Sequence, residues 1–312
     1  MLKRVVLVGV ACSMLGLTER ACAWNDLGHM TVAAVAWQNL SPAARSKVAA
    51  LLRQNPDYPK WIHDVPESKR DEYAFMHAGT WPDDIKKDNR YTDDGDTPNG
   101  PRAARNIGYA DVLRHRYWHY VNFSFSPDGT AVTGPDPINI ETRIRAFRQT
   151  LQSPTASNPL KSYDLAWLIH LVGDAHQPLH STSRYTAALP MGDRGGGSVT
   201  VCAVACATRQ QSLHAFWDDA IGDDTQDNPA AAHAVATSLA AADPAQASIA
   251  DEHQWVEESL VLAKSNVYVE PVGNGAGPFT LSAAYRDSAN QIARRRVALA
   301  SARLAKLIEA SL

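Results

Sequence analysis

Cysteine is scarce in this chain: four in 312 residues, and two of them, Cys12 and Cys22, fall within the first 23. So few thiols argue against a closed structural zinc finger. The other two, Cys202 and Cys206, are expected to close a small local disulfide in an oxidising compartment. A C-x3-C zinc site is the alternative, but two thiolates alone are a poor ligand set. Positive charge is not in excess either. Lys and Arg number 30 against 33 Asp and Glu, for a formal net charge of −3. A mildly acidic chain is not a general duplex-DNA binder of the phosphate-neutralising sort. It can still act on phosphates if metal ions supply the positive charge. There is no internal repeat, no linker that splits the chain, and no second long apolar run.

The one apolar run lies at the start. Lys3 and Arg4 form a basic head, residues 5–17 an apolar stretch, and Ala21-Cys22-Ala23 an A-x-A cleavage site, together a secretory signal. A membrane anchor is the other reading, but the run is short of the ~20 residues a span needs. Cleavage after Ala23 is therefore expected, leaving residues 24–312 as one domain and the protein secreted or periplasmic. It removes three positive charges and one negative, taking the net charge from −3 to −5. It also exposes the α-amino group of Trp24, with an ordinary pKa of about 7.7–8.0, as a potential metal donor.

Apolar spacing and capping residues predict helices over 29–40, 41–54, 67–77, 139–151, 162–175, 212–221, 229–241, 249–265 and 283–311. Ser41 and Pro42 are a typical helix start. Residues 79–84 read as a polar connection, 86–106 as a long surface loop, and 116–125 as extended or irregular. Residues 192–208 suggest a small β-hairpin or flap. The expected fold is mainly α, a single domain with one or two short strands.

Residues 163–180, YDLAWLIHLVGDAHQPLH, organise the rest. His170 and Asp174 stand four apart on one helical face and can point at a single ion. Without one, two polar groups on an apolar face need other partners. Ten helical residues put His180 ~15 Å further along the axis, too far for donors that sit ~2 Å from one zinc. Pro178 also kinks or ends the helix first. At least two metal positions are expected. A second H-x3-D pair follows in His214 and Asp218, while Asp83 and His119 stand among aromatic residues and His29 lies five residues after Trp24. Mixed imidazole and carboxylate ligation suits zinc, with manganese or iron weaker choices. His176 lies off the His170 face and is expected at the surface or behind a ligand. His63, His77, His115, His233 and His253 are assigned no role.

The order W-x4-H, T-W-x-D, W-H-Y, I-H-x3-D-x5-H and L-H-x3-D resembles the zinc-dependent single-strand nucleases with 3'-nucleotidase activity, the type I nucleases, relatives of the bacterial zinc-dependent phospholipases C. The resemblance runs from Trp24 to Asp218. It implies the helical fold of that group and three zinc ions. Asp83, His119, His170 and Asp174 would hold the first, and His180, His214 and Asp218 the second. The Trp24 amine and carbonyl with His29 would hold the third, bridged to the first by Asp174. Single-stranded nucleic acid and nucleotides are the implied substrates, acted on by a monomer without stable membrane association. By the same resemblance Asp83 orients the attacking water, Lys86 holds the phosphate and Tyr120 stacks a base. Asn122 falls where relatives can carry an acid that reads the base edge, and Asp219 where fungal relatives place a phosphate-contacting Asn. The rival readings are a phospholipase C and a non-catalytic zinc-binding protein. W-x4-H and the closing Asp218 favour the nuclease over the phospholipase.

Overall fold

Side-chain caps decide where the helices begin. In the computed structural model, which describes residues 24–204, 206–207, 210–222, 225 and 227–312, Asn25 accepts from the Gly28 N–H at 3.0 Å and opens α1 (Asp26–Asn39). Ser41 accepts from the Ala44 N–H and opens α2 (Pro42–Leu52). The short α3 (Tyr58–Trp61) leads to α4 (Arg70–Lys87), and β1 (Phe123–Phe125) to α5 (Ile140–Gln152), which starts with a capping box at Asn139. Ser157 caps α6 (Asn158–Asp174). Then come β2 (Thr182–Arg184), β3 (Thr200–Cys202), β4 (Gln211–Ser212), α7 (Leu213–Asp218), α8 (Pro229–Thr237), α9 (Pro244–Ala247), α10 (Glu252–Leu262), β5 (Phe279–Thr280) and α11 (Ala283–Ser311). The fold is mainly helical, as the sequence implied. The expected signal at 1–23 lies outside the described residues.

α6 is the axis. Its residues from Leu165 to Asp174 are all fully buried, between α4 on one side and α5 on the other. α1 lies across α4 and also meets α8 and α11. These helices share one apolar core that includes Trp24, Trp81, Trp118 and Trp167. A smaller core gathers Val199, Val201, Trp217 and Tyr285 under the three-stranded sheet β4-β3-β5. β1 pairs in parallel with β2, with Phe123 opposite Thr182. The main-chain bond from the Val121 N–H to the His180 carbonyl, 2.8 Å, extends that contact and sets His119 beside His180.

Four local expectations are corrected. α4 does not stop at His77 but runs through Pro82 to Lys87. A proline inside a helix costs about 3 kcal/mol, yet Phe75, Met76 and Ile85 on the same helix are at most 1 % exposed. Burying each contributes about 1.5–3 kcal/mol, so packing outweighs the breaker. Lys86 is therefore in the last helical turn and buried, not in a surface loop. The hairpin uses different residues: β3 pairs antiparallel with β4, Thr200 opposite Ser212, while 194–198 is a turn. His176 is fully buried rather than at the surface. Its Nδ1 donates to the Val172 carbonyl at 2.7 Å, and Nε2 accepts from Arg303 at 2.8 Å. Cys202 and Cys206 are joined by a disulfide.

Candidate metal centre

The end of α6 supplies His170 and Asp174, one turn apart, with His170 Nε2 3.0 Å from Asp174 Oδ2. α1 brings His29 beneath them. Its Nε2 lies 3.2 Å from Asp174 Oδ1, and its ring stacks on His170 with centroids 3.9 Å apart. Gly173 makes room for that ring, since a Cβ there would stand 3.1 Å from His29 Nδ1. α4 brings Asp83, and the turn before β1 brings His119, whose Nδ1 is 3.1 Å from Asp174 Oδ2 and 3.8 Å from Asp83 Oδ1. α7 supplies His214 and Asp218, with Oδ2 of the latter 3.7 Å from His214 Nε2.

His180 overturns the distance argument. The chain leaves α6 at Asp174 and turns back through residues 178–181, so His180 Nδ1 comes within 3.9 Å of Asp174 Oδ2. Extrapolating the helix fails because the helix ends. His180 nevertheless groups with His214 and Asp218, apart from the groups His119, His170, Asp174 and His29, Asp83, His170.

The protonation pattern suits a cation. His170 Nδ1 donates to the Gly79 carbonyl, His180 Nδ1 to the His119 carbonyl and His214 Nδ1 to the Gly195 carbonyl, each at 2.7 Å. A carbonyl only accepts, so in each neutral ring the lone pair is on Nε2. Yet His180 Nε2 and His214 Nε2 face each other at 3.0 Å, and His170 Nε2 faces His119 Nδ1 at 2.8 Å. His119 Nδ1 can donate to His170 Nε2 or to Asp174 Oδ2, 3.1 Å away, whereas at the His180–His214 contact two lone pairs meet and repel. A cation between them converts the repulsion into ligation, with the carbonyls fixing the ring orientation. Both nitrogens of His29, Nε2 of His119, Oδ2 of Asp83 and Oδ1 of Asp174 are buried without a hydrogen bond. Polar atoms buried in that state are costly and rare. The residues present fit metal ions.

Electrostatics agree. Burial, reinforced by Lys86, pushes His119 down to about 3, and burial with His170 lowers His29, so both rings are neutral and able to ligate near pH 7. Burial alone would raise Asp83, but Lys86, 2.6 Å away, and the histidines hold it well below the carboxylate range. Asp174 is likewise held low, against burial, by His170 and His180. For His170, burial is overcome by Asp174 and Asp83, and its pKa rises. Asp218 goes the other way: burial lifts it well above the ordinary value, although Gln177 donates to it at 2.6 Å.

Above the cluster opens a cavity of about 730 Å³. Lys86, His119, Tyr120, Asn122, His180 and His214 all line it. Tyr120 is half-buried and its hydroxyl donates to the Asp96 carbonyl. Asp219 does not line the cavity, and its Oδ1 accepts from the Asn25 amide at 3.0 Å. Trp24 is fully buried beside the cluster, its indole donating to the Gly173 carbonyl at 3.0 Å, while the next N–H, of Asn25, reaches the Asp218 carbonyl. Sequence reasoning missed Gln177, which holds Asp218, and the Gly79 and Gly195 carbonyls, which orient two ligands. Main-chain acceptors leave no side-chain signal. Gln177, three residues before His180, could have been suspected.

Fold and site together define a mainly helical protein built around a buried His/Asp centre able to hold several metal ions. A sequence profile described as S1/P1 Nuclease matches residues 24–312. The chain belongs to the S1/P1 nuclease family. It is 27 % identical to Endonuclease 3 of Arabidopsis thaliana over 208 residues, 66 % of this chain and 56 % of that protein. It is 24 % identical to Nuclease S1 of Aspergillus oryzae over 215 residues, 68 % of this chain and 59 % of that protein. The chain thus spans less than two thirds of the length of the relatives it matches.

Proposed function

We propose that the chain is a zinc-dependent phosphodiesterase that cleaves single-stranded DNA and RNA to 5'-phosphorylated products and dephosphorylates 3'-nucleotides. What carries this reading is the convergence of buried Nε2 lone pairs and carboxylates at the floor of an open cavity. Imidazole with carboxylate and no thiolate suits zinc. Asp83, His119, His170 and Asp174 would hold one ion, and His180, His214 and Asp218 a second. His29, Asp174 and the Trp24 amine and carbonyl would hold a third, once the signal at 1–23 has directed export and been removed after Ala23.

Zinc in these positions would supply a nucleophilic water at neutral pH and positive charge for the departing 3'-oxygen. The chain's own groups do the rest. Lys86, paired with Asp83 at 2.6 Å and reaching the cavity, binds a non-bridging phosphate oxygen. Asp83 accepts a hydrogen bond from the attacking water and aims it at phosphorus. The Tyr120 ring offers a stacking face, which accepts any base and suits an unpaired strand, and Asn122 presents an amide to the base edge. Asp219, held by Asn25, has at most a contact through water. Among the described residues no helix is long and apolar enough to cross a membrane.

The test compares single-stranded DNA, RNA, 3'-AMP and phosphatidylcholine with purified mature protein. Turnover of the first three, abolished by chelator and restored by zinc, is expected. Turnover of phosphatidylcholine alone would replace this reading with a phospholipase.

A further inference from the structure

Two arginines face each other across the mouth of the cavity, and both are attached to residues that orient metal ligands. Arg194 precedes Gly195, whose carbonyl accepts from His214 Nδ1. Arg116 stands three residues before His119. Between them lies Asp96, on the long segment that follows α4. Its Oδ2 accepts from Arg194 Nη2 at 2.7 Å, and its Oδ1 stands 3.6 Å from Arg116 Nη1. The Asp96 carbonyl accepts from Tyr120. All four residues line the cavity.

The backbone at Arg194 is unusual. Arg194, Gly195 and Gly196 take φ of 56°, 61° and 81° in succession. Glycine adopts such angles at no steric cost, whereas a side chain pays for them, and such outliers gather at functional positions. The turn is also rigid. A Cβ on Gly195 would meet the Leu179 carbonyl at 2.4 Å, and the neighbouring Asp193 carboxylate, fully buried, accepts from the Arg184 N–H at 2.9 Å. Arg194 is thus a strained cation on a fixed platform, its side chain 69 % exposed.

We propose that Arg194 and Arg116 form a subsite for a second backbone phosphate of a single-stranded polynucleotide, and that Asp96 fills this subsite when no strand is bound. The inference rests on the polynucleotide reading given above and extends it. A carboxylate and a phosphate present the same acceptor geometry to a guanidinium fork. The Asp96–Arg194 pair is exposed and the Arg116 contact is long at 3.6 Å, and such pairs contribute little stability, so a phosphate can displace the carboxylate readily. Arg116 keeps Asp93 at 2.8 Å in either state, which holds it near the mouth. A mononucleotide with one phosphate, or a phospholipid with one phosphodiester, has nothing to offer the second position. The subsite therefore favours polymer over monomer.

The test uses metal-loaded mature protein and two readouts. The first is kcat/KM for hexathymidylate divided by kcat/KM for thymidine 3'-phosphate. Arg194→Ala should lower this ratio about tenfold through loss of a charge-assisted contact to phosphate. Asp96→Asn, which removes the competitor and keeps the side-chain shape, should raise it about two- to threefold. The second is fluorescence anisotropy of fluorescein-labelled, phosphorothioate-linked hexathymidylate across salt concentrations, which needs no turnover. Arg194→Ala should reduce the salt slope by about 0.7, the single-strand value per phosphate contact. A ratio within twofold of wild type together with an unchanged slope would overturn the subsite. So would weaker strand binding in Asp96→Asn, since Asp96 would then be supporting the arginines rather than competing with substrate. Wild type that binds the strand but cuts nothing would refute the nuclease reading alone, because the slope still scores the subsite. Wild type that does not bind the strand refutes both.

Discussion

Two kinds of buried histidine meet near the end of α6, and they differ in who answers their nitrogens. His176 is satisfied by protein: Val172 accepts from one nitrogen and Arg303 donates to the other. Arg303 and Arg296 in turn share Glu258 at 2.7 and 2.8 Å. His115 sits among protein groups too, with Nε2 3.0 Å from Asp111, Nδ1 3.3 Å from Asp94, and its ring stacked on Trp118. His170, His180 and His214 have one nitrogen answered by a carbonyl and the other turned toward a second ligand. Burial is the same in both sets. What marks the candidate ligands is convergence: their second nitrogens face other histidines and carboxylates of the same groups.

The largest expected break is Asp174→Ala. One carboxylate stands within 3.2 Å of His29, His119 and His170, so its loss should release about two zinc ions rather than one, with activity lost. Metal analysis that finds only one ion gone would remove its bridging role. On the structural side, His115→Phe should leave metal content intact but lower stability by about 1–3 kcal/mol, because buried Asp111 and half-buried Asp94 each lose the ring nitrogen that faces them. Denaturant unfolding measures this. For the wild-type ring, burial is overcome by Asp111 and Asp94, so the folded pKa lies above 6.5. Its contribution is thus complete below pH 6.5 and lost as pH rises through the raised value.

Both regions were unevenly legible in the sequence. The pairs His170/Asp174 and His214/Asp218 could be read because four residues make one helical turn, a local rule. Asp83 was found as a residue while its helix was missed, since Pro82 is a breaker unless packing outweighs it. His180 is set apart from His170 by motif order and by a distance that does not exist, because the return of the chain is a tertiary event. His115 is given no role although Asp111 stands four residues before it, and the Arg303 partner of His176 lies 127 residues away. The Asp96–Arg194 contact, 98 residues apart, was invisible for the same reason.

A smaller effect sharpens the comparison. Gly195→Ala cannot keep its turn, as the new Cβ would meet the Leu179 carbonyl at 2.4 Å, and His214 would lose its orienting acceptor. Zinc affinity at the His180/His214/Asp218 group should fall about 10–100-fold, read by titration against a chelator, while the Asp174 group keeps its metal. The smallest effect is expected at an exposed histidine. His253 is raised by its hydrogen bond to Glu141, so its contribution is present below pH 6.5 and lost as pH rises above that. Solvent screening limits His253→Ala to about 0.5 kcal/mol or less, measured by thermal unfolding at pH 5.5 and pH 8.

The central claim is that the converging buried nitrogens and carboxylates hold zinc. Anomalous diffraction at the zinc edge, on crystals of the mature protein grown with zinc, tests it most directly. The account predicts one peak among Asp83, His119, His170 and Asp174, a second among His180, His214 and Asp218, and a third beside His29. Well-ordered crystals with no peak at these groups would contradict it.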